Sequence, residues 1–117
     1  MRNNDLKDRT KQFALRILKL ANALPNTDEN GVIRKQIMRC GTSVASNYRA
    51  SCRAKSKLDF IAKLSIVEEE ADESAFWMEI IVERKLLKKS LVEPLLHEAY
   101  ELTAIMVSSK KSARKNS

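Results

Sequence analysis

The side chains able to do chemistry in this 117-residue chain are unevenly spread, and the largest group of them is cationic. On a 100° wheel, Lys35, Arg49 and Arg53 fall opposite the apolar seam of one predicted helix, together with Thr42 and Ser46. Lys57 follows at the next turn, and Lys110, Lys111, Arg114 and Lys115 crowd the C-terminal end. Such a set can track a phosphate backbone. It can equally be a solubilising face whose charge is met by the acidic helix of a neighbouring subunit. No interleaved aromatic rings point to base stacking.

A second group carries carboxylates. In the following helix Ile66, Glu70, Glu73, Trp77 and Ile80 line up, so two acids lie among apolar groups and require partners. Counting back through a hairpin centred near Ser56 brings Arg39 level with Glu73, with Asn47 on the inner seam nearer the turn. Arg39, Asn47, Glu70 and Glu73 are therefore expected to form a partly buried polar network. Its role is either to fix helix register or oligomer state, or to contact a ligand directly.

Reactive groups are sparse. A carboxylate-bridged metal centre in a helical bundle needs Glu from several helices and Glu-x-x-His pairs on two of them, whereas His97 is the single histidine. Glu93 stands four residues before it, which suits a surface pair more than a ligand pair. Nucleophilic catalysis wants a Ser or Cys beside a base that a third group orients, and no Gly-rich phosphate loop is present. The chain is expected to be no enzyme and to use no metal or other cofactor. Cys40 and Cys52 sit in one predicted helix at ~18 Å separation, too far to bridge each other, so free thiols acting as small buried hydrophobes are expected.

The elements that must position these groups are helices. Gly and Pro number two each, and β-branched or aromatic runs bounded by turn residues are missing. Leu6, Phe13, Ile17, Leu20 and Leu24 recur on one face of a helix spanning about 5–24, which Pro25 ends. A second helix, about 30–54, carries the seam Ile33, Ile37, Cys40, Val44, Asn47, Ser51, Ala54, stepping by four and three. Gly41 inside it signals a close helix approach or simple tolerance. Ser56-Lys57-Leu58-Asp59 reads as a capping box opening a third helix, about 57–88, with the seam Phe60, Leu64, Val67, Ala71, Ser74, Met78, Ile81, Lys85. Ser90-Leu91-Val92-Glu93 reads as another, with Pro94 still in the first turn of a fourth helix, about 90–112, whose apolar face is Leu91, Leu95, Leu102, Ile105 and Met106. A basic tail over 110–117 completes one all-α domain, 1–117. Short connections between four helices predict an antiparallel up-down bundle.

The longest uncharged stretch, Cys40 to Tyr48, is nine residues, far short of the ~20 that cross a bilayer. The N-terminus lacks the apolar region of a signal peptide, so a cytoplasmic location is expected. The net charge of +7 conceals an asymmetry: residues 1–58 carry +9, residues 59–104 carry −6 and residues 105–117 carry +4. The first two helices and the tail are basic; the third helix is acidic.

The run Gln36-Ile37-Met38-Arg39-Cys40-Gly41-Thr42-Ser43-Val44-Ala45-Ser46-Asn47-Tyr48-Arg49, followed by Ser56, Asp59-Phe60, Lys63-Leu64, Glu70-Ala71, Glu73-Ser74 and Trp77, resembles the four-helix-bundle family of 23S rRNA intervening sequence proteins. The order and lengths of elements agree over roughly residues 5 to 112. The resemblance implies a ring-like or barrel-shaped homo-oligomer, a pentamer. A related branch, the accessory variability determinant of diversity-generating retroelements, is a basic pentamer that associates with reverse transcriptase and nucleic acid, so RNA, DNA or such a protein is an implied partner. This chain departs from the family pattern at Ala50, where Glu is frequent, and at Glu69 and Asp72, where Lys and Arg flank the helix-three Glu. If the family binds nucleic acid through that surface, the contact here shifts to the first two helices.

The expected function is that of a non-enzymatic, homo-oligomeric accessory protein contacting RNA or DNA mainly through phosphates, and hence with weak sequence selectivity. The competing expectation is a purely structural oligomeric scaffold that binds a protein partner.

Overall fold

The computed structural model describes residues 3–116, with side chains from residue 5 onward. Among these residues four helices follow one another: α1 (Asn3–Ala23), α2 (Asp28–Ser51), α3 (Lys57–Glu83) and α4 (Lys89–Lys115). Each packs on its neighbour in the chain, and α1 closes the ring against α4 over a smaller area. Cross-helix pairs run in opposite order between α1 and α2 (Lys11 near Arg49, Ile17 against Gly41), between α2 and α3 (Glu29 with Arg84, Arg39 with Glu73) and between α3 and α4 (Glu68 with Lys110, Glu79 with Tyr100), so successive helices are antiparallel. The rod measures 49 × 21 × 19 Å.

The interior is built from the predicted faces, with adjustments. Phe13, Ile17, Ile37, Val44, Leu64, Met78, Ile81, Leu102 and Met106 are fully buried, and each such side chain contributes on the order of 1.5–3 kcal/mol relative to exposure. On α2 the seam passes through Tyr48, which is buried, while Asn47 is only half-buried. The aromatic ring fills the interior that the amide could enter only by losing hydrogen bonds to water. On α4, Val92, Leu96 and Ala99 are inside, whereas Leu91 is 63% exposed and Ile105 half-buried. Gly41 is needed for a close approach: a Cβ there would stand 2.5 Å from Cγ2 of Ile17.

Helix ends follow hydrogen-bond logic. Thr27 caps α2 by accepting from the Asn30 amide at 3.0 Å, so the helix starts at Asp28, two residues before the expected start. Ser56 caps α3 by accepting from the Asp59 amide at 3.0 Å, and Asp59 reaches back to the Lys55 amide, a capping box shifted by one residue. The second helix stops at Ser51, because residues 52–56 form the connection that delivers that cap. The third ends at Glu83 and not near Lys88. The amides of Lys85 and Leu86 return to the carbonyls of Val82 and Ile81, and Lys85 takes φ 54°, a Schellman ending with lysine where glycine is usual.

The fourth helix begins at Lys89 behind Lys88, which makes no side-chain cap among the described residues. The Ser90–Glu93 box is therefore inside the helix, and Pro94 lies in the second turn, depriving the Ser90 carbonyl of its usual donor. At its other end α4 stays helical to Lys115. Lys110 anchors it to α3, and the cations of its last turn suit the helix dipole.

Candidate nucleic-acid interface

The α1–α2 packing places Lys7 and Lys11 of α1 beside Arg49 of α2. Together with Asp8, Thr42, Ala45 and Ser46 they line a groove of about 610 Å³. Small residues on α2 leave this space open, and Thr42 is turned back on its own helix by a 2.7 Å bond to the Met38 carbonyl. A second groove of about 390 Å³ lies between α2 and the start of α3, lined by Ser46, Arg49, Ala50, Arg53, Lys55, Asp59 and Lys63. Ser46 and Arg49 belong to both, so the two grooves flank the Arg49 side chain.

The charge balance of this surface is strongly positive. Asp59 is held by Lys63, and the hydrogen bond from Lys63 keeps its carboxyl below the usual range, with the Lys55 amide adding to the effect. Lys7, Lys11, Arg49, Arg53 and Lys55 form no ion pair among the described residues, and Asp8 is the remaining acid in the grooves.

The structure distributes the eight cations singled out in the sequence over several places. Arg49 and Arg53 are exposed on the double groove. Lys35 is exposed but fourteen residues from Arg49, ~21 Å along the same helix. Lys57 does not present its charge: its Nζ is shielded from solvent and has no hydrogen-bond partner among the described residues. Lys110 is committed to α3, with Nζ 2.7 Å from Glu68 and 3.1 Å from Ser65 Oγ. Lys111, Arg114 and Lys115 are exposed on the last turns of α4. They stand at the pole of the α2–α3 hairpin, where Ala113 and Asn116 share a cleft with Cys52 and Lys57. Lys7, Lys11, Lys55 and Lys63 escaped the sequence reading. The i, i+4 pair Lys7–Lys11, off the apolar face of a basic helix, was the available signal.

The polar network forms with three of its four expected members. Arg39 bridges Glu70 at 3.2 Å and Glu73, takes Gln36 Oε1 at 3.3 Å, and Trp77 Nε1 donates to Glu73 at 3.2 Å. Burial pushes the Glu73 carboxyl upward, but the bonds from Arg39 and Trp77 outweigh it and hold the group below the usual range. Asn47 stays apart, its amide donating to the Ser43 carbonyl and hydroxyl one turn back, because α2 turns Tyr48 inward in its place. The cluster lies in the outer α2–α3 crevice, with Arg39 half exposed.

The thiols are free and separate. Cys40 is fully buried, receives a 3.3 Å bond from Ser74 Oγ, and burial pushes it up to about 11. His97 is exposed, and Glu93 faces Lys89 at 3.8 Å. Among the described residues no three His, Cys, Asp or Glu side chains converge, and no helix is long and apolar enough to cross a membrane.

The fold and this surface define a four-helix bundle with a cationic double groove at one pole. The chain belongs to the family of 23S rRNA-intervening sequence proteins, whose profile matches residues 2–108. It is similar to a crystallised protein of unknown function from the S23 ribosomal protein family of Bacteroides thetaiotaomicron. The two are 34% identical with a TM-score of 0.86, over 95% of this chain and 99% of the other. No curated protein matches the sequence.

Proposed function

We propose that this protein is a non-enzymatic, homo-oligomeric accessory protein of the cytoplasm that grips the phosphate backbone of RNA or DNA. The observation that carries the reading is the pair of grooves sharing Arg49. They gather Lys7, Lys11, Arg49, Arg53 and Lys55 around floors of small side chains, with their charge unspent on internal ion pairs among the described residues. Among the described residues no aromatic ring lines either groove, which favours backbone contact over base stacking. Five neutralised phosphates on a duplex give a slope of log affinity against log salt of about −4.5. A binding titration over a series of salt concentrations tests this, and affinity indifferent to salt would sink it.

The alternative is a structural oligomer whose partner is protein, such as a reverse transcriptase. It is favoured by the outer face of α3, where Ile66 and Phe76 are 42% and 50% exposed among carboxylates. Replacing Arg49 and Arg53 with Glu separates the two: loss of nucleic-acid retention with assembly intact supports the first reading, and disturbed assembly supports the second.

A further inference from the structure

The third helix carries apolar side chains on more than the face it turns to the core. A helix apolar on several sides belongs in an interior, yet α3 lies on the outside of a four-helix rod. Its outward line runs Glu69, Asp72, Phe76, Ile80 in steps of three and four. Phe76 is 50% exposed and stands edge-on to Trp77 with centroids 5.0 Å apart, while Ile80 is half-buried. Glu69 and Asp72 are exposed and make no ion pair among the described residues. This is an acidic amphipathic surface without an ion-pair partner among the described residues of its own molecule.

The complement of that surface lies elsewhere on the same chain. Near the end of α1, a groove of about 400 Å³ opens toward the start of α4, with Leu20, Leu87, Leu91 and Leu95 forming an apolar wall. Leu91, expected inside from its spacing, is 63% exposed here. Arg16 and Lys19 stand on the rim, both exposed and neither ion-paired among the described residues.

We infer that the acidic outer line of α3 from one copy docks into the Arg16–Lys19 leucine groove of the next. This rests on the reading that the protein self-associates and specifies the two surfaces that do it. Apolar meets apolar, carboxylates meet cations, and the occupant is a second copy because the chain carries both halves. α1 and α3 occupy diagonal corners of the bundle, each flanked by α2 and α4, so the two faces point to different sides. A copy engaged through one face leaves the other available. The contact is heterologous, and repetition closes a ring or extends a chain of subunits. It leaves the Arg49 grooves to nucleic acid.

The test uses two variants with substitutions at exposed positions, one with Glu69→Lys, Asp72→Lys and Phe76→Ser, the other with Arg16→Glu, Lys19→Glu and Leu91→Ser. Helix content and melting are checked first by circular dichroism. If a triple variant loses its fold, its two charge substitutions alone are used. Light scattering should give a multiple of the chain mass for the native protein and a single-chain mass for each variant. An equimolar mixture of the two variants should recover association, in dimers or larger species, because the intact faces pair and the reversed charges of the altered faces complement each other. A native protein that is monomeric at every concentration ends both this inference and the self-association reading. A native oligomer that either variant leaves unchanged, or a mixture that stays monomeric, overturns the pairing of surfaces while the self-association reading stands.

Discussion

Gly41 of α2 and Ile17 of α1 are packed so closely that a methyl group on the glycine would lie 2.5, 2.8 and 2.9 Å from three carbons of the isoleucine. The backbone of α2 thus rests directly on a fully buried β-branched side chain. Gly41→Ala is expected to destabilise the fold by up to about 2 kcal/mol, because overpacking exceeds the ~1 kcal/mol gained in helix propensity. Combining it with Ile17→Ala, which removes the clashing carbons, should give a loss smaller than the sum of the two singles. Urea denaturation of the three variants measures this; strict additivity would show that the contact is not the cause.

Lys85 occupies a left-handed conformation that costs an L-residue about 1–2 kcal/mol and a glycine essentially nothing. Lys85→Gly should therefore raise stability by about 1 kcal/mol, net of the extra freedom glycine brings to the unfolded chain. Lys85→Val should lower it, since a β-branched side chain tolerates positive φ poorly. The shift in denaturation midpoint at constant slope gives the answer.

The cationic residues divide into those that meet a groove and those spent internally. Arg49→Ala or Lys11→Ala should each weaken nucleic-acid binding and flatten the salt slope by about 0.9 for every phosphate released on duplex. Lys110→Ala should leave that slope unchanged and act on stability, since its ammonium is held by Glu68 and Ser65. Salt titrations of the three variants separate the classes. An equal slope change for Lys110→Ala would show that the tail of α4 joins the interface.

Glu73 is held below its ordinary range in the folded protein, so its contribution to stability is present above the unfolded carboxylate value and fades as pH falls through the folded one. The gap in denaturation midpoint between the native protein and Glu73→Gln should therefore be open at neutral pH and close in the acid range below about 4.3. Trp77 is the single tryptophan and bonds to this carboxylate, so its emission should change over the same interval. A gap constant across that range would show that the Arg39–Glu73 pair adds nothing.

Cys40 and Cys52 should part sharply in reactivity. A thiol fully buried and pushed up to about 11 supplies almost no accessible thiolate at neutral pH. A disulfide reagent should therefore modify half-buried Cys52 first and reach Cys40 at the rate of global opening. Biphasic labelling, with the slow phase abolished by Cys40→Ala, is the expected record.

The helices were legible because apolar residues recur by fours and threes over long stretches, and no strand-forming run competes with them. The Ser56 cap was legible for a similar reason, since its chemistry is local. What escaped depends on neighbours in space. Asn47 and Tyr48 are adjacent, and only the packing of α1 and α3 around α2 decides which enters the interior. The end of α3 was hidden because lysine, not glycine, adopts the reversing conformation. Arg34, whose guanidinium donates to the Ala21 and Leu24 carbonyls at 3.2 and 2.7 Å and so closes the end of α1, could not be found without the hairpin that brings it there. The double groove is of the same kind, because two of its cations, Lys7 and Lys11, come from a helix whose wheel shows only a generally basic exterior. The Arg39–Glu73 alignment was accessible by counting residues back from a hairpin whose turn was already located.

The bundle is closed by its slimmest contact, between the first helix and the last, across which Arg9 forks onto Glu98 with two 2.7 Å bonds. A molecule whose every other interface joins chain neighbours can zip from hairpin to hairpin with little loop entropy to overcome, so fast folding follows from topology. Thermal breathing should begin along that last-formed line, with amides of α1 and α4 exchanging with solvent while the α2–α3 hairpin keeps its protection.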